Sequence, residues 1–330
     1  MSNPIMSFVL RSDRGESVHL TAAVLIDPDG DVAFAAGPED VPFYLRSAAK
    51  PYQAIPLLES GAMEQFQLTE EDLAIACASH SGEARHLEVV GAFQARVGVK
   101  PAQLQCGPHL PFCRESEEQL LGESAQPTVL HNNCSGKHTG FLAAAKAMGA
   151  TLDDYLRPEH PVQQSILAHI QRLIGLDDVP VGIDGCSAPT FFMALTDMAR
   201  LVQRLAAGDE ELLVPQFKAM VKHPFLVGGT GRFDTDFTTV MGGRAVAKEG
   251  LEGIQTVAAR DGKGRGFGLA LKVLDGCERP KAQVALEILH AFELVEPEEL
   301  EQLGGYYHPV YTNNVGLEIG TLITEVKPET

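Results

Sequence analysis

Two residues three apart, Ser47 and Lys50, define the first chemistry this chain can do. They stand in the stretch Leu45-Arg46-Ser47-Ala48-Ala49-Lys50-Pro51. On a helix, positions i and i+3 project from one face, which brings a hydroxyl within reach of an amine. A serine hydroxyl is a weak nucleophile near neutral pH and needs a base. A lysine serves as that base only if burial or nearby positive charge lowers its pKa. Arg46 and a helix N-terminus both act in that direction. Pro51 places the N-terminus, since proline is tolerated in a first helical turn. The same spacing also describes an N-cap serine and a solvated lysine, so the reading depends on what else the chain supplies.

Four further patches carry reactive residue types. Ser79-His80-Ser81-Gly82 follows a short apolar segment, Leu73 to Ala78, and suits either a cleft-facing loop or a helix N-cap. Cys134-Ser135-Gly136-Lys137 opens a helix. It is not a phosphate-binding loop, because the glycine that motif needs is His131 and the hydroxyl residue it needs is His138. A lysine at a helix N-terminus is disfavoured by the dipole, so Lys137 needs a negative partner or acts as a neutral ligand. Asp184-Gly185-Cys186 offers a carboxylate and a second thiol. Two cysteines and a deprotonated lysine could hold zinc, although lysine is an unusual ligand for it, and two buried thiols beside an ion pair is the competing account. Lys248-Glu249-Gly250 closes a strand-like run.

The elements that must position these patches follow from periodicity and turn signals. Val18 to Ile26 and Asp31 to Ala36 read as a hairpin about Asp27-Pro28-Asp29-Gly30. The Ser47 helix is expected to reach about Glu59. Glu83 to Val97 carries apolar residues at helical spacing, and residues 100–128 are expected to be irregular. A small-residue helix runs from the Cys134 patch to Gly149, and Asp153 to Leu213 is mostly helical. Phe237 to Met241, Arg244 to Lys248 and Gly266 to Leu274 read as strands, Lys281 to Leu294 as a helix, and Val315 to Val326 as extended. The expected fold is therefore α/β of the α+β kind. Its mostly antiparallel sheet takes strands from about 1–45 and 235–330, with a mainly helical portion, about 46–230, inserted in one compact catalytic unit spanning 1–330.

Composition narrows the function. Of 330 residues, 44 are acidic and 26 are Lys or Arg, a net charge of −18. This argues against nucleic acid and anionic membrane surfaces as partners. No run of about 18 apolar residues occurs, and the first 14 residues lack the apolar core of a signal peptide. The six cysteines form no C-x-x-C pair and read as reduced thiols of a cytoplasmic protein.

The order S-x-x-K, serine loop, K-x-G is the set used by serine β-lactamases and penicillin-binding proteins. Here the middle motif is Ser79-His80-Ser81 rather than S-D-N, and it follows Ser47 by only about thirty residues. The five patches together resemble the L-asparaginase II family, the thermolabile rhizobial-type (class 3) enzymes. The likeness rests on Arg46 to Pro51, Cys77 to Ser81, Asn133 to His138, Asp184 to Cys186 and Lys248 to Gly250, and it covers nearly the whole chain. It implies a serine-β-lactamase-like fold, a homodimer, and hydrolysis of L-asparagine to L-aspartate and ammonia without an organic cofactor. By the same resemblance Ser47 is the nucleophile with Lys50 as partner, and Ser79 with Lys248 forms a second pair. Arg46, His80, Asn133, Asp184 and Gly185 belong to substrate binding, and Cys134, Lys137 and Cys186 to a zinc site.

In the implied chemistry, neutral Lys50 takes the proton as Ser47 attacks the side-chain amide, and backbone N–H groups hold the oxyanion. Whether Lys50 or Lys248 is the primary base stays open. Zinc between two thiolates and a lysine is electron-rich, so it would orient the substrate's α-amino or α-carboxylate group rather than generate hydroxide. Two alternatives come from other designs: another serine amidohydrolase or β-lactamase-like hydrolase, and a non-catalytic amino-acid- or zinc-binding relative. A self-cleaving threonine enzyme would use Thr230 and break the chain before it.

Overall fold

The structure is a computed structural model and describes residues 2–326; the expected chain-end boundaries at 1 and 330 lie outside these. The chain forms two compact units. A sheet unit comprises the residues up to Ala48, Met193–Gly208 and those from Asp236 onward, and a helical unit comprises Ala49–Phe192 and Asp209–Thr235.

In the sheet unit, eight strands pair edge to edge. The order is Val310–Thr312, Glu318–Thr324, Ile5–Arg11, Arg14–Ile26, Gly266–Val273, Ile254–Arg260 and Ala245–Gly250, with Val32–Ala36 also paired to Arg14–Ile26. The pairings Ile5–Arg11 to Glu318–Thr324, Arg14–Ile26 to Gly266–Val273 and Ala245–Gly250 to Ile254–Arg260 are antiparallel. Both ends of the chain thus supply the sheet, as expected. Ile254 to Ala259 are buried without alternation, which a strand shows only when both of its faces are covered. The helices Leu195–Ala207 and Lys281–Ala291 supply that cover. A Cβ at Gly268 would run into the backbone of Ala199 and Gln203, so glycine there lets the first helix lie flat on the sheet.

The helical unit packs Glu70–Ala76, Ala84–Val97 and Ser135–Ala147 against one another. Ser135–Ala147 is buried from Ser135 through Ala145. It fits only because residue 136 is glycine, where a Cβ would collide with the Ile75 carbonyl. A hairpin of Val181–Ile183 and Pro189–Ala194 carries the Asp184-Gly185-Cys186 turn.

The local differences from expectation have simple causes. The Ser47 helix is three pieces, a 3₁₀ turn Arg46–Ala49 and helices Lys50–Gln53 and Ile55–Glu59, because Pro51 and Pro56 each lack an N–H and interrupt the ladder. Leu73 to Ala78 lies largely in the helix Glu70–Ala76, which opens on a capping box between Thr69 and Asp72. Phe237 to Met241, read as a strand from its aromatic and β-branched residues, belongs to the helix Phe233–Val240. Within 100–128, Arg114–Gly122 is a helix that buries none of its residues. Ile5–Arg11 and Ile254–Arg260 are strands the sequence reading did not anticipate.

Candidate active site

The helical unit brings most of the patches together around one buried amine. Lys50 is 0% exposed. Its Nζ lies 2.6 Å from Ala78 O, 2.8 Å from Ser79 Oγ and 3.5 Å from Asn133 O. An ammonium has three N–H donors and would fill all three contacts. Burial lowers the Lys50 pKa, the Cys134 thiolate opposes that, and the charge on Lys137 adds to it. Once neutral, the amine has two N–H donors and one lone pair, so one of its three contacts must reverse or give way.

Ser79 is held by its backbone. Its N–H donates to Val227 O at 2.9 Å, and the next N–H, of His80, donates to Asn133 O at 3.3 Å. The His80 ring is fully committed. Nδ1 accepts from Gly82 N at 3.2 Å, so Nε2 carries the proton and donates to Ser135 Oγ at 2.9 Å; Ser135 in turn donates to Leu130 O. Burial first, then the neighbouring His86, Lys50, His109 and Arg232, keep His80 neutral. His80 therefore ties the Ser79 loop to the start of the Ser135 helix.

Behind Lys50 lie two thiols and a second lysine. Lys137 Nζ donates to Cys186 Sγ at 3.0 Å and stands 5.5 Å over the Phe141 ring. The Cys186 thiol hydrogen bond pulls the Cys134 pKa well down against burial, with help from Lys50 and Lys137. One negative charge is thus shared by a coupled pair of sulfurs. Burial opposes the charge on Lys137, but the adjacent sulfurs win and keep it protonated. His138 is pushed down to about 4, chiefly by burial. Its Nδ1 is 2.7 Å from Tyr155 OH. Its Nε2 is buried without a hydrogen-bond partner by geometry, although Cys186 is near enough to act on its pKa.

Protonated Lys137 offers no lone pair, so Cys134, Cys186 and the Lys137 amine could hold a thiophilic divalent ion only if the ion displaced that proton. Among the described residues, no group of three or more His, Cys, Asp or Glu side chains is arranged to hold a metal; lysine falls outside that donor class. Asp184 Oδ1 accepts from Gly185 N at 2.8 Å, and its Oδ2 is 4.0 Å from Cys186 Sγ. The half-buried Asp184 and exposed Gly185 thus shape the turn that presents Cys186.

Ser47, Arg46 and Lys248 belong to the sheet unit. Arg46 takes a left-handed φ of 51°, a conformation that costs an ordinary residue about 1 kcal/mol or more and aims the following turn. Lys248 is 2% exposed. Gly250 lies two residues along the same strand, so its position and the Lys248 side chain share one face of the sheet. A Cβ at 250 would stand 2.9 Å from Leu45 O and 3.4 Å from Ala48 N. The turn holding Ser47 therefore packs on the face that Lys248 presents, and the glycine of the K-x-G motif is what admits it. Glu249, between them, pairs with Lys281 at 2.8 Å.

A cavity of about 640 Å³ opens elsewhere on the sheet unit, lined by Met6, Phe8, Phe34, Phe292 and Ile323 among others. None of the predicted site residues lines it; Ser2, Asn3 and Glu325 are the polar residues of its wall. No helix among the described residues is long and apolar enough to cross a membrane.

The family model for L-asparaginase II matches residues 8–324. The chain belongs to the L-asparaginase II family. No curated protein sequence matches it. Solved structures similar to it include a β-lactamase from Sphaerobacter thermophilus DSM 20745, at 15% identity and TM-score 0.42 over 84% of this chain and 93% of that one. A Bacillus glutaminase crystallised in 4.3 M NaCl is similar at 12% identity and TM-score 0.37, over 83% and 91%. Mglu in its native form is similar at 12% identity and TM-score 0.39, over 85% and 67%. This chain spans as little as 59% of other Mglu chains. Family membership accounts for the hydrolase motifs and implies a small-molecule substrate.

One group of site-forming residues carried no sequence signal. Arg232, Phe112 and His109 meet at Ser81 and Asn133, from loops far apart in the chain. Only the folded chain brings them together.

Proposed function

We propose that this member of the L-asparaginase II family hydrolyses the side-chain amide of L-asparagine to L-aspartate and ammonia through an aspartyl ester on Ser47. The observation that carries the reading is the buried Lys50 amine, with a depressed pKa, 2.8 Å from Ser79 Oγ. A desolvated lysine on a serine hydroxyl is an amine prepared to exchange protons.

In the proposed cycle the Ser47 Oγ–C bond forms while its proton passes to neutral Lys50. Backbone N–H groups of the turn receive the charge developing on oxygen. The C–N bond then breaks, and nitrogen takes a proton relayed through Ser79 and Lys248, leaving as ammonia. Water, deprotonated by the same amines, attacks the ester; Ser47 recovers its proton and L-aspartate departs. Arg46, Asn133, Asp184 and Gly185 belong to substrate binding, with His80 bracing the loop behind them.

A zinc ion held by Cys134, Cys186 and Lys137 would orient the substrate's α-amino or α-carboxylate group. Metal analysis of the purified protein before and after Cys134→Ala tests it, and equal metal content in both would remove the site. The homodimer and the cytoplasmic location are proposals on the same footing, and sedimentation tests the first.

The deciding experiment is ammonia release from L-asparagine, with L-glutamine in parallel, by the wild type and Ser47→Ala. Turnover abolished in a variant with unchanged circular dichroism is the expected result. Undiminished turnover in Ser47→Ala would exclude the nucleophile, and binding without turnover in the wild type would make the chain a non-catalytic relative.

A further inference from the structure

L-Asparagine carries an α-carboxylate that the reacting amide chemistry leaves unaccounted for. In the helical unit, Lys50 and Lys137 are both buried and bonded to the groups described above. Arg232 is half-buried and meets the Ser79 segment at Ser81. Its Nη1 donates to Ser81 Oγ at 3.3 Å, and its guanidinium lies 5.8 Å over the Phe112 ring.

Phe112 is 55% exposed, unusual for a phenyl ring that is nevertheless sandwiched. Its other neighbour is His109, stacked at 4.6 Å and 14°. His109 Nε2 accepts from Asn133 N at 2.9 Å, and Asn133 O is one of the Lys50 acceptors. Cation, phenyl ring and imidazole thus form a continuous rim from Ser81 to Asn133. The Phe112 backbone N–H fixes that rim by donating to Ser81 O at 2.9 Å.

The loop bearing Arg232 is clamped as firmly. Thr230 donates to Glu83 through its N–H, 2.8 Å, and its hydroxyl, 2.6 Å. Ser81 Oγ donates to Gly228 O at 3.0 Å. Gly229, at φ 125°, has no room for a Cβ against Glu83 and Ser81. A planar guanidinium held this way is pre-organised for a planar anion.

Spacing limits the anion. Two residues of chain, Ser79 to Ser81, span at most ~7 Å. From the amide carbon of asparagine to its α-carboxylate carbon is roughly 4 Å over three bonds. A substrate whose amide reacts beside Ser79 thus has its carboxylate within reach of an arginine bonded to Ser81. We infer that Arg232 is the specificity-determining residue for the substrate's α-carboxylate, held on its rim by Ser81, Phe112 and the Glu83–Thr230 clasp. This rests on the asparaginase reading above.

The test compares two ligands that differ only in that group, L-aspartate and β-alanine. Calorimetric affinities are measured for the wild type, Arg232→Gln, Arg232→Lys and, as a charge control, Arg114→Gln on the exposed helix Arg114–Gly122, with ammonia release from L-asparagine assayed alongside. The wild type should prefer L-aspartate by ~10–100-fold, the size of a charge-assisted hydrogen-bonded pair. That preference should collapse toward unity in Arg232→Gln, recover partly in Arg232→Lys and survive in Arg114→Gln. Arg232→Gln should raise KM for L-asparagine far more than it lowers kcat. A preference kept by Arg232→Gln, or lost equally in Arg114→Gln, overturns the assignment while ammonia release leaves the asparaginase reading intact. Absence of both ammonia release and L-aspartate binding in the wild type overturns both.

Discussion

Lys50 Nζ donates to Ser79 Oγ at 2.8 Å, across 29 positions of sequence. The S-x-x-K spacing draws attention to Ser47 and Lys50, yet the amine has its own contact with the second serine motif. The observed contact makes Ser79 the proton partner of Lys50, and the proposed cycle adds Ser47 to it.

Lys50→Met should lower kcat by about 10²–10⁴-fold, the usual contribution of a positioned acid–base group. The fold should survive, because methionine removes a buried amine without leaving a buried charge. Ammonia release and a thermal melt on the same preparation check both halves. Activity within twofold of wild type would remove Lys50 from the chemistry.

Activity should rise with pH through the depressed Lys50 pKa. The sign follows from burial, which favours the neutral form, so the basic amine accumulates below the usual lysine value of about 10.4. In Ser79→Ala this limb should move, because the hydroxyl partner of the amine is gone. An identical pH profile in that variant would show that Ser79 does not sense Lys50.

Acid should destabilise the metal-free protein in a defined window. His138 is neutral and buried, with its pKa lowered from 6.5 to about 4. Its contribution to stability is complete above 6.5 and is lost as pH falls toward and through 4, amounting to roughly 3 kcal/mol. Denaturant melts at pH 7 and pH 4.5, compared with those of His138→Gln, should show a smaller pH dependence in the variant. Equal dependence would mean that other groups carry the acid sensitivity.

Gly250→Ala should cost about 1–3 kcal/mol, as overpacking does, and should lower kcat more than Gly262→Ala, where a Cβ meets nothing within 4 Å. At 250 the added methyl would press on Leu45 O at 2.9 Å and displace the turn holding Ser47. Equal kcat in the two variants would show that the turn tolerates the shift.

The parts of this fold that sequence made legible are those with local causes. The hairpin about Asp27 to Gly30, the small-residue helix opened by the Cys134 patch and the K-x-G strand were all readable from short-range chemistry. The strand Ile254–Arg260 was not, because a short run buried on both faces lacks the alternation that marks a half-exposed strand. Phe237 to Met241 misled for the opposite reason, since its strand-favouring residues serve a helix whose tertiary surroundings outweigh propensity. Ser47, Ser79 and Cys134 stood out by motif. The commitment of both His80 ring nitrogens depends on where Gly82 and Ser135 lie. The Arg232 rim depends on a contact between positions 151 apart, beyond any periodicity.

Ser7 pairs with Thr324 in the sheet, and their hydroxyls meet at 2.5 Å, 317 residues apart. During synthesis, that edge of Ile5–Arg11 therefore stays open until the 317 positions separating Ser7 from Thr324 have been made, whereas most of the helical unit is contiguous and can form first. Loss of Glu318–Thr324 would undo this closure. A stop codon before Glu318 would leave Ile5–Arg11 as an open edge, able to pair with a second nascent chain.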